Sequence, residues 1–222
     1  MGKLIDRDRR DRARADRRNR QAAILEKART ALLSQQPGEL TLEALDRAAG
    51  LRQGAASMYF GSLEGLVFRL LRDEISSWLQ RLESLLRDGP ATLPPLGLAE
   101  ALATTLQERP LLSRLLAALP ALADRRSAEM DQILDLETWR LERFREAGSL
   151  VESRCPDLQA GGGVVILRRA VLLAAALEPL LNPPSGLLLA INDANLAPLY
   201  PPPGEELRVL LAAILADMSR TT

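Results

Sequence analysis

The chain has 222 residues, of which 47% are hydrophobic and only 3% aromatic. This length suits one or two small domains, with a core built mainly from Leu and Ala. That composition favours packed helices, and no run of alternating β-branched residues predicts a strand. The sequence has no His, so the commonest metal ligand and general base is missing. We therefore expect an all-α protein that is not an enzyme, with no catalytic residues, metal or cofactor.

Charge is balanced at 29 basic and 29 acidic residues, but it is unevenly distributed. Residues 1–60 carry 13 Lys and Arg against 8 Asp and Glu, a balance of +5, so the remainder carries −5. A basic N-terminal part predicts binding to a polyanion. The single Cys155 excludes an internal disulfide, and residues 1–20 do not resemble a signal peptide, so a cytoplasmic location is expected. Residues 164–181 are interrupted by three charges and predict a buried helix, with no membrane contact.

The first elements along the chain are a charged arm and a helix. Residues 1–16 form a low-complexity, Arg-rich segment, for which we predict a flexible basic arm. Helix one is expected over residues 17–34, before Pro37-Gly38. The arm has two open interpretations. Its arginines can neutralise phosphates or enter a minor groove, or its interleaved Asp residues can leave it a solvated tail.

Residues 41–66 predict two short helices around a tight turn. Thr41 is a good N-cap for the first helix, and Leu40 with Leu45 fits a hydrophobic staple. Gly50 stands where a helix ends in a left-handed residue. The second helix is expected over about residues 52–59. This arrangement is the helix-turn-helix, which places its second helix in a DNA major groove.

The run AGLRQGAASMYFGSLEGLV resembles the signature of tetracycline-repressor-like transcriptional regulators. The positions that match are Ala49, Gly50, Leu51, Gly54, Tyr59, Phe60, Ser62, Glu64 and Leu66. The resemblance implies an N-terminal three-helix DNA-binding domain over residues 17–62. It also implies a C-terminal helical domain over residues 63–222 that binds an effector and dimerises.

By position, the resemblance also implies a set of DNA contacts. These are Thr41, Arg52, Gln53, Ala55, Ser57, Met58 and Tyr59, to which we add Arg17 and Arg18 of the neighbouring basic segment. Arg52 has two donors to pair with guanine, and Gln53 has a donor and an acceptor to pair with adenine. The alternative interpretation is that Arg52 and Gln53 are ordinary solvated surface residues.

Five positions depart from the family pattern: Asp46, Ala56, Ser57, Gly61 and Leu63. The family has a small residue where Asp46 stands, and a buried Asp needs a partner. The sequence leaves open whether Arg29 or Arg52 supplies it. Together, the departures at these five positions motivate a second hypothesis. In it, the chain is a helical small-molecule-binding or protein-interaction protein that has lost specific DNA binding.

The rest of the chain predicts further helices, over about 62–87, 95–108, 110–124, 127–147, 163–181 and 204–219. Ser127 is the expected cap of the helix over 127–147, whose inner face is predicted to include Met130, Leu134, Leu141 and Phe144. The last two helices carry more apolar residues than one buried face requires, so we expect them to form a homodimer surface.

A candidate effector site follows from the resemblance alone. Its residues are Trp78, Leu106, Leu116, Met130, Leu134 and Trp139, which would line a cavity for an apolar or amphipathic small molecule; the alternative is an ordinary helical core. The combined hypothesis is a ligand-responsive regulator, most often a repressor in this family, that binds a palindromic operator in double-stranded DNA as a homodimer. Its half-sites would lie one helical turn, roughly 34–36 Å, apart.

Overall fold

The computed structural model describes residues 2–35, 37–124, 129–181, 183, 185–193 and 195–220. All regular structure within them is helical, which confirms the all-α prediction. In chain order the α-helices are α1 Gly2–Leu32, α2 Leu42–Ala48, α3 Ala55–Phe60, α4 Leu63–Asp88, α5 Pro95–Gln107, α6 Pro110–Ala123, α7 Met130–Arg154, α8 Gly162–Ala176, α9 Glu178–Leu181, α10 Ser185–Ile191 and α11 Pro203–Arg220. We call α1–α3 the head and α4–α11 the body.

Helix α1 begins at Gly2, where the sequence predicted a flexible arm up to residue 16. Opposite charges spaced four residues apart, such as Asp16 and Arg20, favour a helix, and Ala and Arg have high helix propensity. Ile24, Ala28 and Leu32, toward the C-terminal end of α1, are completely buried. Asp11, Arg12 and residues 14–20 are exposed. The C-terminal half of α1 therefore anchors the helix, and the charged side chains described before it face solvent.

Helix α4 connects the head to the body. Ser62 caps it, with Oγ accepting a hydrogen bond from the amide of Gly65 at 3.1 Å. Most of its predicted inner face is buried, namely Leu66, Leu70, Ile75, Trp78 and Leu82, while Leu63 and Leu85 are partly buried. Because this stripe of Leu, Ile and Trp side chains lies in the same core cluster as Ile24 of α1 and Leu45 of α2, the head and the body share a hydrophobic core.

Helices α7 and α8 cross at closely packed glycines. A Cβ added at Gly163 would overlap the backbone of Gly148, so neither position tolerates a side chain in this packing. The amide of Gly163, near the start of α8, donates to the Glu152 carboxylate on α7 at 2.9 Å. The Gly161-Gly162-Gly163 run therefore begins α8 and allows its close approach to α7.

The predicted inner face of α7 is wrong except for Phe144. Met130 and Leu134 are 67% and 57% exposed, and Leu141 is also exposed. The residues that α7 buries are instead Leu136, Phe144, Ala147, Gly148 and Val151. The helix also runs seven residues beyond the predicted end at residue 147, because nothing in EAGSLVESR breaks a helix before Cys155-Pro156. The predicted Ser127 cap lies outside the described residues.

The region after α8 also differs from the prediction. The helix expected over 163–181 is divided at Leu177 into α8 and α9, and α10 over Ser185–Ile191 was not predicted. Arg114 of α6 is buried and joins this region to the head. Its Nε lies 3.1 Å from the Glu178 carboxylate at the start of α9, and its Nη1 donates to the Leu32 carbonyl at the end of α1 at 2.8 Å. One guanidinium therefore joins three separate segments.

Candidate nucleic-acid interface

Helix α3 is held in place by a carboxylate from α2. Asp46 is only 2% exposed, and its two oxygens accept hydrogen bonds from the amides of Gly54 and Ala56, each at 2.7 Å. These are among the amides that a helix start leaves without a partner, and Gly54 has no side chain to cap them. The partner that a buried Asp46 requires is thus the backbone of α3.

Neither arginine considered as a partner for Asp46 contacts it. Arg29 donates to Asp73 at 3.1 Å and to Glu74 at 3.4 Å on α4, and Arg52 is exposed. The sequence could not distinguish these possibilities. Whether an acceptor on one helix reaches the backbone amides of the next depends on how the two helices cross. The departure at position 46 therefore strengthens the link between α2 and α3.

Helix α3 begins later than predicted. Gly54 has φ of 84°, a left-handed conformation that interrupts a right-handed helix, so α3 starts at Ala55 and not at residue 52. Arg52 and Gln53 consequently lie in the turn before α3, where both are exposed. The guanidinium of Arg52 lies against Met58, with Nη2 3.8 Å from Sδ.

The outer surface of α3 is formed by a subset of the predicted residues. Ser57 and Met58 are exposed and Tyr59 is partly buried, whereas Ala55 is 5% exposed and has little surface to offer a base. Gly61, which ends α3, has φ of 75°, and this left-handed conformation favours glycine over a charged residue there. The surface combines polar, thioether and aromatic groups, with Arg52 as its nearest cation along the chain.

Thr41 is exposed at the N-terminus of α2. Its Oγ1 accepts a hydrogen bond from the amide of Ala44 at 3.2 Å, which confirms the predicted cap. Because the oxygen is the acceptor in this bond, the hydroxyl proton remains free to be donated outward. A phosphate oxygen is a suitable acceptor for such a proton.

The basic side of α1 lies next to α3. The guanidinium carbon of Arg17 is 5.8 Å from the centre of the Tyr59 ring, within the range of a cation–π contact. An open groove of about 340 Å³ lies between Asp16, Arg17 and Arg20 on one side and Met58 and Tyr59 on the other. Arg18 is exposed, and its Nε donates to the Arg14 carbonyl at 3.4 Å. Arg17 and the α3 surface are therefore brought together.

The six candidate effector residues do not form one site. Trp78, Leu106 and Leu116 are buried in the body, and the Trp78 indole donates to the Thr105 hydroxyl at 3.1 Å. The space beside Leu106 is only about 10 Å³, at the lower limit for one water molecule. Met130 and Leu134 are exposed, and Trp139 is partly buried beneath Arg72. Trp78 itself is completely buried.

A larger space lies where the head meets the body. This junction cleft of about 250 Å³ is lined by Gln21 of α1, Tyr59 and Phe60 of α3, Arg69 and Arg72 of α4, and Gln132 and Asp135 of α7, together with Gly65 and Phe68. This cleft could not be predicted from the sequence, because its wall comes from four helices and three separate parts of the chain. Its local signal is the Tyr59-Phe60 pair, which also belongs to the motif around α3.

Other chemistry has little support from the described residues. Burial raises the pKa of the Cys155 thiol, so the reactive thiolate is disfavoured. Within the described part of the chain, no group of three or more His, Cys, Asp or Glu is arranged to hold a metal ion. None of the helices described is both long and apolar enough to cross a membrane.

The fold combines a three-helix head, in which α2 and α3 form a helix-turn-helix, with a large helical body. Residues 72–221 match the family described as "Tetracyclin repressor-like, C-terminal domain". This match covers most of the chain and all but the first turns of α4 in the body. The chain therefore belongs to the tetracycline-repressor-like family, as the motif around α3 predicted. A comparison with curated proteins gives no match.

Proposed function

We propose that the protein is a ligand-responsive transcriptional regulator that binds a palindromic operator as a homodimer and represses in its DNA-bound state. The observation that carries this proposal is the exposed α3 surface, held by the two hydrogen bonds from Asp46. Catalysis has no part in this function, and its place of action is the cytoplasm. Family membership supports the general role.

The proposed base contacts come from the turn before α3 and from its outer face. We assign Arg52 to guanine and Gln53 to adenine, and the exposure of both side chains at the entrance to α3 supports this assignment. Ser57 and Met58 follow on the exposed face of α3. Met58 offers an apolar contact, for example to a thymine methyl group.

Contacts to the phosphates are proposed from three places. Thr41 has a free hydroxyl proton at the N-terminus of α2, and Tyr59 lies at the edge of the α3 surface. Arg17 and Arg18 on α1 add positive charge beside Tyr59. Such contacts fix the register on the duplex without reading sequence.

The proposed dimer surface is formed by α8 and α11, within the predicted segments 163–181 and 204–219. Leu172 on α8 and Val209 on α11 are large apolar side chains that are exposed in the single chain. Exposed Arg168 on α8 and exposed Asp217 on α11 carry opposite charges. A two-fold arrangement with α8 of one protomer against α11 of its partner would bury the apolar residues.

The experiment that tests DNA binding is selection of bound duplexes from a random pool, followed by a salt titration on the enriched sequence. We expect a palindromic sequence and a steep salt dependence. The double variant R52A/Q53A should lose sequence preference, while R87A/Q80A, which removes the same residue types from exposed positions on α4, should bind as wild type does. No enrichment from a folded dimer would overturn the proposal.

The second candidate function is a helical binding protein that has kept the fold and lost specific DNA recognition. The observation in its favour is the uncharged segment after α3, where Gly61 is a left-handed turn residue and Leu63 is partly buried. This candidate predicts weak binding to DNA without sequence preference. The same selection experiment therefore distinguishes the two functions.

A further inference from the structure

The junction cleft has the size of a small-ligand site. At about 250 Å³, it is just below the roughly 300–1,000 Å³ of pockets that hold drug-sized molecules. It has room for one substituted ring. The space beside Leu106 in the body, by contrast, is about 10 Å³. In this conformation, a molecule that signals to the head therefore has more room at the junction than beside Leu106.

The head side of the junction cleft is aromatic. Tyr59 and Phe60 meet edge to face, with ring centres 6.5 Å apart and planes at 73°. Both rings are partly buried, so part of each faces the space. Aromatic rings in such a wall favour a planar, apolar ligand group, because ring edges and faces attract one another.

The body side of the junction cleft presents the guanidinium of Arg72. Arg72 lies 5.4 Å from the centre of the Trp139 ring, and no described carboxylate is within ion-pair distance of it. Arg69, by comparison, is paired with Asp73 at 3.1 Å. The Arg72 guanidinium thus has donors available for one carboxylate. Asp135 in the same wall disfavours a second negative charge on the ligand.

Gln132 adds an unsatisfied acceptor to this wall. Its amide nitrogen donates to Glu129 at 3.1 Å, which fixes the amide orientation, and its Oε1 is buried with no hydrogen-bond partner. A buried carbonyl without a donor is destabilising. Because the oxygen is shielded from solvent, a ligand reaches it only after the side chain turns toward the junction cleft. A hydroxyl on the ligand ring would then satisfy it.

We propose that the junction cleft binds a small aromatic monocarboxylic acid, with the ring against Tyr59 and Phe60 and the carboxylate on Arg72. The regulatory meaning of this site rests on the function proposed above. Tyr59 belongs to α3 and also contacts Arg17, whereas Arg72 and Asp135 belong to the body. A ligand here contacts both parts, so binding changes the position of α3 and the affinity for DNA, and DNA changes the affinity for the ligand by the same factor.

The test measures binding to the free full-length chain by calorimetry, without DNA. The probes are benzoate, 4-hydroxybenzoate and phenylacetate, with benzamide as the neutral control and cyclohexanecarboxylate as the non-aromatic control. We expect saturable binding of at least one acid. The two control compounds should bind with an affinity at least about tenfold lower, which corresponds to the loss of one charge-assisted hydrogen bond. No saturation by any acid below roughly 5 mM overturns the proposal.

A pair of variants locates the site. R72Q should weaken acid binding about tenfold or more, whereas R81Q on the same helix should not change it, since Arg81 pairs with Glu108 outside the junction cleft. In W78F only Trp139 remains as a tryptophan, and its emission should change on acid binding because it stacks under Arg72. Equal affinity of R72Q and wild type, with both folded by circular dichroism, overturns the proposal.

The outcomes separate this site from the proposed function. Acid binding that depends on Arg72, together with failure of the DNA selection, supports the site and rejects the regulator. Successful DNA selection with no acid binding supports the regulator and rejects the site. If both succeed, a saturating acid should change operator affinity in wild type and leave it unchanged in R72Q.

Discussion

Replacing Asp46 with Asn tests how α3 is held in place. The Asn side chain keeps one acceptor oxygen but turns an NH₂ group toward the second amide, so either Gly54 or Ala56 loses its hydrogen bond. A hydrogen bond to a charged group contributes about 1.5–3 kcal/mol, and a buried unsatisfied amide costs about 1–3 kcal/mol. With the bonds at 2.7 Å and Asp46 2% exposed, we expect the free energy of unfolding to fall by about 2–4 kcal/mol.

The assay for this prediction combines thermal unfolding with amide hydrogen exchange. For a chain of this length the expected loss corresponds to a fall in Tm of about 5–10 °C. The amide of Ala56 should exchange faster, because it is buried and bonded only through Asp46 in the wild type. Operator affinity should fall about tenfold or more, since the α3 surface is no longer held in place.

The control is E43Q, which removes a carboxylate from an exposed position on the same helix. Its effect should be a few tenths of a kcal/mol, the usual contribution of an exposed charge near a helix terminus. If D46N melts within about 2 °C of wild type and the Ala56 amide stays protected, the Asp46 carboxylate does not hold α3 in place.

Three further predictions follow from packing and burial. R114L removes the guanidinium from the Glu178 carboxylate and the Leu32 carbonyl and should cost about 3–5 kcal/mol in urea unfolding; a loss below about 1 kcal/mol would show that the contact is dispensable. G163A should lower stability by about 1–3 kcal/mol because its methyl group overlaps the α7 backbone, while G186A, with open space around it, should be neutral or stabilising; equal effects would contradict the close crossing. The Cys155 thiol should react slowly with a thiol reagent at pH 8 in the native chain and quickly in urea, because burial raises its pKa; fast native reaction would show that it is accessible.

The order and type of most helices could be predicted from the sequence. The stripe from Leu66 to Leu82 repeats at helical spacing, and caps such as Thr41 and Ser62 mark helix starts. These signals are local, so they do not depend on how the chain folds back on itself. The Thr41 cap and Gly50 likewise predict α2 and the turn after it.

The inner face of α7 shows where this reasoning fails. Met130, Leu134 and Leu141 repeat at helical spacing, yet they are exposed, and the buried face instead contains the small residues Ala147 and Gly148. Helix α8 packs closely against this face through Gly163, so this is the face of α7 that is buried. An apolar stripe predicts a buried face only when no neighbouring helix favours another side of the helix.

The candidate interface could be predicted in part. The motif located α3 and its exposed residues, because Gly50, Gly54 and the Tyr59-Phe60 pair are local features. The bonds from Asp46 could not be predicted, since they cross from one helix to the next. The junction cleft could not be predicted either, because it exists only after α1, α3, α4 and α7 have packed.

The contacts of Arg114 have a consequence for the order in which the chain folds during synthesis. The carbonyl of Leu32 is bonded to a residue 82 positions later, and Arg114 is bonded to Glu178 another 64 positions on. The end of α1 therefore leaves the ribosome long before its partner has been made. We expect a nascent chain that stops before α6 to lack this bond at the end of α1, and the bond to form only once Arg114 has been made.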